Sequence, residues 1–376
     1  MRIAVVGGKL QGLEAVYLAK KAGWQVVLID RHKDVPAGKL CDSFFCLDAN
    51  RVDELAVALN GVELIVPALE EITVLTSLAV ASEKYKIPYA FDPAAYEVSA
   101  SKRKSDHFFN AIGIAAPQPW PNCDYPLIAK PSGSSGSEGV HLIRNEEDMR
   151  RLEAEPGFHT KQWVIQEYLE GPSYSLEVIG CRGVYLPLQV TDLQMDSSYD
   201  CKRVIAPSEL ETKWQKELAA MAVKIAAELK MNGIMDVEVI FHDGCLKVLE
   251  IDARLPSQTP TAVFKSTGVN MLELLAGCFI DRHLEFSPPK AERAVIFEHI
   301  VVSPNSLTVA GERVVSKAGS MSYVEDFFGA DEALTNYCPG LKNWIATLII
   351  TAGDSQEVRR KRLAVINRVK DEMKLN

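Results

Sequence analysis

The 376-residue chain contains no C-x-x-C pair; its eight cysteines, from Cys41 to Cys338, are scattered. That excludes a zinc ribbon, a thioredoxin-like motif and a compact disulfide scaffold, and leaves reduced thiols as the expectation. No apolar run reaches the ~18 residues that a membrane helix needs. The opening MRIAVVGG reads as a strand rather than a signal peptide, so a cytoplasmic protein with no membrane partner is expected. Clustered positive charge is also missing: 50 acidic against 41 basic residues give a net charge of −9, and basic runs such as Lys102-Arg103-Lys104 are short. Nucleic-acid binding is therefore disfavoured, because it rests on clustered phosphate-neutralising charge. There is no internal repeat and no low-complexity segment. What remains is an ordinary globular composition, 47% hydrophobic, long enough for two or three packed domains.

The order of patterns predicts an α/β opening followed by α+β segments. Strand-like MRIAVVGG, a helical stretch from Leu13 to Ala22 and a strand Gln25–Asp30 make a β-α-β unit and hence a parallel sheet. Further strands at 63–67 and 88–91, with a helix at 73–84, carry this domain to residue 98. Its Gly7, Gly8 and Gly12 with Asp30 suggest a dinucleotide site, but the spacing is G-G-x-x-x-G rather than G-x-G-x-x-G. An NAD-dependent oxidoreductase is thus an alternative of a different class. Equally, Lys9, Leu10 and Gln11 can face a substrate beyond the strand ends, where α/β ligands sit. A second domain, 99–293, starts with a helix from Ser99 to Ile112. It continues through strands at 125–130, 140–143, 163–166 and 174–179 and a long helix at 208–229. A third, 294–376, has strands near 296–302 and 344–351 and a last helix marked by Asp354 and Glu357, a capping-box spacing.

The chemistry concentrates in two alternating runs, Asp236-Val-Glu238 and Glu250-Ile-Asp252-Ala-Arg254, separated by the turn signal His242-Asp243-Gly244. A three-residue loop would put Asp236, Glu238, Glu250 and Asp252 on one surface of a hairpin. Two unit charges ~4 Å apart repel by roughly 4 kcal/mol at an effective dielectric near 20. Four such carboxylates need cations, and Arg254 supplies only one. Oxygen ligands without His or Cys favour Mg²⁺, or Mn²⁺, held between carboxylates and phosphates. The alternative for the hairpin alone is a solvated charged face. Ser132-Gly-Ser-Ser-Gly-Ser-Glu-Gly139 offers backbone N–H groups to phosphate, with Lys130 at the end of the strand that feeds it. It is no Walker A loop, and alone it reads as a linker. Gln166 to Gly171 is a strand end that could meet a flat base.

In order and spacing, Lys102 and Lys104, Lys130 with its Gly/Ser flap, Gln166-Glu-Tyr-Leu-Glu-Gly171 and the acidic hairpin resemble the ATP-grasp superfamily. The resemblance covers nearly the whole chain. It implies an ATP-grasp fold with a Rossmann-like preATP-grasp domain, and ATP held between two α+β subdomains. Lys102 or Lys104, Lys130, Ser134 and Ser135 would meet the phosphates, and Gln166, Glu167, Tyr168 and Leu169 the adenine. Glu177 would substitute for a missing ribose acid at Ser173. Glu238, Glu250 and Asp252 would hold Mg²⁺, Asp252 standing where the superfamily usually has Asn. VGGKLQG (6–12), GIMDVE (233–238) and EIDARLPSQTPT (250–261) resemble more closely the ATP-grasp ligases of pyrrolysine biosynthesis. That resemblance implies joining of the 3-methyl-D-ornithine carboxylate to the ε-amine of L-lysine through an acyl phosphate. Arg254 and Lys130 would stabilise developing charge, and Asp236, Glu177, Ser257 and Thr259 would bind the diamino acid. Other amino-acid or purine-pathway ligases are the alternative within the superfamily. A homodimer is compatible with the chain.

Overall fold

The computed structural model describes residues 1–133, 136, 138–155, 157–160, 162–284 and 293–375. β1 (Arg2–Val6), β2 (Gln25–Asp30), β3 (Ser43–Cys46) and β4 (Leu64–Pro67) form a parallel sheet in the order β3-β2-β1-β4. β1, β2 and β4 are runs of Val, Ile, Leu and Ala, as parallel strands covered on both faces require. The crossover helices are α1 (Leu10–Lys21) and α2 (Ile72–Tyr85), the latter following β4. The stretch 88–91, expected as a strand, makes only an isolated bridge between Ile65 and Tyr89. Pro88 has no N–H to extend a ladder there.

The helix expected from Ser99 to Ile112 is α4 (Lys102–Ala111), and a short helix that was not expected, α3 (Pro93–Ser99), precedes it. Ser101 between them is extended, and its hydroxyl accepts an N–H from the first turn of α4, which the helix cannot satisfy itself. The N–H groups of Lys102 and Arg103 reach the Ser132 carbonyl and hydroxyl at 3.0 and 3.1 Å, tying α4 to the start of the Gly/Ser segment. β5 (Leu127–Pro131), β6 (His141–Ile143), α5 (Glu146–Glu153) and β7 (Trp163–Glu167) follow. Their strands make a small antiparallel sheet, β6-β5-β7, over a core of Leu127, Ala129, Met149 and Leu152.

The other strands share one sheet. They are β8 (Ser173–Cys181), β9 (Val184–Pro187), β10 (Thr191–Met195), β11 (Cys201–Ala206), then, after α6 (Thr212–Glu228), β12 (Gly233–His242) and β13 (Cys245–Asp252). α7 (Thr259–Thr267) and α8 (Met271–Ala276) lead to β14 (Ala294–Ser303), β15 (Ser306–Ala310) and the short α9 (Arg313–Ser316). β16 (Ser322–Phe327), β17 (Ala330–Thr335), β18 (Trp344–Ala352) and α10 (Ser355–Met373) complete the chain. The sheet order is β13-β12-β8-β10-β11-β14-β18-β17-β16, with β9 on β8 and β15 on β14. Strands beyond residue 294 therefore extend the sheet that carries the acidic hairpin, through pairs such as Ala206 with Val295. One apolar cluster joins Leu13 and Val16 of α1 to Ala262, Leu272 and Phe297, so the N-terminal sheet is anchored beside α7. α10 starts as its spacing predicts: Asp354 accepts the Glu357 N–H at 2.8 Å, and the Glu357 carboxylate turns back to the Gly353 N–H at 2.9 Å. Among the described residues no single helix is long and apolar enough to cross a membrane.

Candidate active site

β12 and β13 meet in a two-residue turn, not the three-residue loop expected. His242 pairs with Cys245, and Asp243 and Gly244 both have positive φ, 49° and 78°, the geometry that matches strand twist. From such a turn, regular pairing would set Glu238 opposite Leu249 and divide the acids between the two faces. A β-bulge corrects this. Leu249 is the extra residue, so that Glu238 pairs with Glu250 and Asp236 with Asp252, all on one face. The Leu249 carbonyl stands 3.5 Å from Lys130 Nζ. Arg254, expected to continue the alternation, lies just past the strand end.

A cleft of about 350 Å³, in the range of small-molecule sites, opens between the small sheet and this hairpin. Gln166, Glu167, Tyr168 and Leu169 line one side, and Lys102 and Lys130 stand with Glu238 and Glu250. Lys102 Nζ lies 2.5 Å from Glu250 Oε1. Burial depresses the Lys102 pKa, but Glu250 more than offsets it and the net direction is up. For Lys130 burial prevails over the nearby acids and the pKa is lowered. Lys104 faces elsewhere: it is exposed, with Nζ 2.7 Å from Glu97. The Glu167 carboxylate is taken by Lys247 Nζ at 2.6 Å and the Gln118 N–H at 2.8 Å, and the N–H groups of Glu167 and Tyr168 bond to the carbonyls of Gln118 and Pro126. Ser134 and Ser135 lie outside the described residues.

A second cavity, of about 110 Å³, is lined by six carboxylates: Asp200, Asp236, Glu238, Glu250, Asp252 and Glu312. Arg254, Ser257, Gln258, Thr259 and Gly136 of the flap also line it. Glu238 and Glu250 line both spaces. Burial pushes the Glu238 pKa well up, and Asp236 and Glu250 add to the push. Burial also raises Asp252 to about 7 against the pull of Arg254, and Asp236 to about 6 against a hydrogen bond from the Ser175 hydroxyl. Carboxylates crowded in this way are stabilised by a cation, and an all-oxygen set suits Mg²⁺. Among the described residues no three side chains already stand in ligating geometry. Glu250 is instead held by Lys102, and Asp252 by Arg254 at 2.9 Å.

Arg254 also lies 2.6 Å from Glu70 Oε1, which accepts from Gln11 Nε2 at 2.9 Å. Burial lowers the Arg254 pKa, but Asp252 and Glu70 reverse the direction. Lys9, Leu10 and Gln11 line a separate cavity of about 390 Å³ at the C-terminal ends of β1, β2 and β4, reaching Arg254 only through Glu70. Glu177 lies outside the nucleotide cleft, contrary to its expected ribose role. It pairs with Asp236 across β8 and β12, fully buried, and burial with the Asp236 charge lifts its pKa to about 8. The Thr259 hydroxyl is close by without completing a hydrogen bond to it. Sequence reasoning left Glu70 without a role and missed Glu312 altogether. Glu70 was findable, since it follows β4, where α/β sheets bind ligands. Glu312 had no local signal, lying on the loop between β15 and α9.

The glycine turn after β1 serves packing. A Cβ on Gly7, whose φ is +103°, would fall 2.4 Å from the Ala68 carbonyl oxygen, and one on Gly12 2.0 Å from that of Gly7. Asp30 accepts the N–H groups of Gly8 and His32, each at 2.8 Å, and so closes the loop instead of presenting itself to a ribose. The comparisons agree with the other reading. Residues 99–258 match the ATP-grasp domain family. The 3-methyl-D-ornithine–L-lysine ligase of Methanosarcina acetivorans is 36% identical over 98% of each chain. That of Methanosarcina mazei is 35% identical over 96% of this chain and 93% of its own. A biotin carboxylase from Campylobacter jejuni superposes with a TM-score of 0.76 at 14% identity, over 97% of this chain and 90% of that one, which shows the shared fold. The chain belongs to the ATP-grasp superfamily and, within it, to the family of 3-methyl-D-ornithine–L-lysine ligases.

Proposed function

We propose that the protein joins the carboxylate of 3-methyl-D-ornithine to the ε-amine of L-lysine, with ATP as phosphoryl donor, as a cytoplasmic step of pyrrolysine biosynthesis. Family membership makes it an ATP-dependent ligase forming a carbon–nitrogen bond between small molecules. One observation carries the mechanism: Glu238 and Glu250 are walls of both the nucleotide-sized cleft and the small acidic cavity. A terminal phosphate in the first space and an amino-acid carboxylate in the second would meet there.

In this reading residues 1–98 form the preATP-grasp domain, 99–293 carry the flap and hairpin, and 294–376 complete the fold. Gln166 and the backbone of 167–169 hold the adenine, while Lys102 and Lys130 neutralise phosphate oxygens. Glu238, Glu250 and Asp252 would hold Mg²⁺, whose charge offsets that of the transferring phosphoryl group. A carboxylate is a poor acyl donor until one of its oxygens belongs to a leaving group. Its oxygen therefore attacks the γ-phosphorus and ADP leaves. Arg254 meets the carboxylate and then the oxyanion that forms when the lysine ε-amine attacks the carbonyl carbon. Collapse expels inorganic phosphate and leaves the amide. Asp236 receives the α-ammonium group of the diamino acid, with Ser257 and Thr259 nearby.

The test is a coupled ADP-release assay in which turnover should require both amino acids. With ¹⁸O in the ornithine-type carboxylate, one label should appear in inorganic phosphate. Label in AMP with release of pyrophosphate would refute the acyl-phosphate route.

A further inference from the structure

After β13 the chain passes through a three-residue γ-turn. The Thr259 N–H bonds to the Ser257 carbonyl at 2.8 Å, and Gln258 has φ +69° and ψ −59°. This is the rare, strained form of the turn, and a side-chain-bearing residue stays in it only where its surroundings over-determine it. Glu312 supplies that constraint: its Oε2 accepts from Ser257 Oγ at 2.5 Å and from Gln258 Nε2 at 2.8 Å. Its other oxygen has no hydrogen-bond partner among the described residues, and the residue lines the acidic cavity. Gln258 and Thr259 line the same cavity at 5% and 4% exposure, the Thr259 hydroxyl lying beside Glu177, and Gln258 Oε1 has no hydrogen-bond partner among the described residues. Buried polar atoms in a native fold normally find partners. The second Glu312 oxygen and Gln258 Oε1 are thus two acceptors available to the donors of an ammonium group.

Charge balance narrows the choice. Glu250 and Asp252 are paired with Lys102 and Arg254, and Asp200 with Arg313 at 3.0 Å. Glu238 belongs to the proposed metal set. Asp236 and Glu312 are left without a cation in salt-bridge range among the described residues. The reacting carboxylate must lie where the cavity meets the cleft, at Glu238 and Glu250. The α-ammonium, on the adjoining carbon, then falls to Asp236, two residues from Glu238 on the same strand. The side-chain ammonium is three carbons further on and needs an acid from another wall.

We propose that Glu312, aimed by Ser257 and Gln258, receives the side-chain ammonium of the diamino acid and sets the preference for diamino over monoamino acids. The proposal rests on the ligase reading above. Its test compares kcat/KM for D-ornithine with that for D-norvaline, the same carbon chain without the side-chain amine, in wild type and Glu312→Gln. Both are measured with L-lysine and Mg²⁺-ATP, and the ratio does not depend on the fraction of enzyme that is folded. A charge-assisted contact of this type predicts a roughly 10- to 100-fold fall in the ratio, expressed mainly in the KM for D-ornithine, with the KM for ATP unchanged. A ratio unchanged in Glu312→Gln overturns the proposal. If that variant is inactive with both acids, Ser257→Ala decides by the same ratio: a fall supports the role and no change refutes it. Wild-type enzyme that releases no ADP with D-ornithine and lysine together would refute the ligase reading instead.

Discussion

Glu14 of α1 is 3% exposed, and its Oε1 accepts the Thr261 N–H at 2.5 Å, in the first turn of α7. The N-terminal sheet thereby holds the helix that follows the γ-turn. Burial raises the Glu14 pKa from 4.5 to about 7; hydrogen bonds from Thr261 and Gln258 oppose the shift, and the charge of Glu312 adds to it. The folded state thus keeps a proton that the unfolded chain releases near pH 4.5. Its stability contribution is complete below that pH and is lost as pH rises through about 7. The shift of about 2.5 units, at roughly 1.4 kcal/mol per unit, amounts to about 3 kcal/mol at pH 8. An unfolding entropy of roughly 2 cal/mol/K per residue gives about 0.8 kcal/mol/K for 376 residues. Glu14→Gln retains an acceptor for Thr261 but cannot ionise. Its Tm should exceed that of wild type at pH 8, and the gap should widen by about 3 °C between pH 5 and pH 8. Burial is the largest cause of the raised Glu177 pKa and acts in both proteins; the Glu14 charge is the smallest named contribution, so most of the difference between the profiles belongs to Glu14. Calorimetric or fluorescence melts across this range decide the matter: parallel profiles, or a Gln variant less stable at pH 8, would show that Glu14 is not a buried, proton-holding carboxylate.

Glu250→Gln should reduce turnover by at least about 100-fold while leaving the far-UV spectrum unchanged, and Asp252→Asn should cost less, because each removes metal charge but also relieves repulsion. Near-normal activity of Glu250→Gln at limiting Mg²⁺ would contradict the metal assignment. Lys102→Ala should raise the KM for ATP by about tenfold or more, whereas Lys104→Ala should stay within about twofold, since an exposed ion pair contributes little; equal effects would undo the choice between them. Mg²⁺ with a non-hydrolysable ATP analogue should raise the melting temperature and NAD should not, and the reverse pattern would revive the oxidoreductase reading.

Local periodicity and turn chemistry were enough to read the parallel opening, the acidic hairpin and the capped last helix, because spacing along the chain alone sets which face a side chain takes. The same logic missed α3 and began α4 three residues early, at Ser99, although Ser101 is the residue that caps it. Nor could it decide the hairpin register: the acids share a face because of a bulge at Leu249, where a three-residue loop had been expected. The choice of Lys102 over Lys104 depended on how α4 is fixed to Ser132, 30 residues away from Lys102. Tertiary packing alone brought Glu70 to Arg254, moved Glu177 from the nucleotide to the wall beside Asp236, and set Glu312 against Ser257 and Gln258. Such contacts join positions 54 to 184 residues apart. Their formation depends on which strands pair and how helices dock, which is a property of the whole packed chain and leaves no periodic trace in the residues themselves.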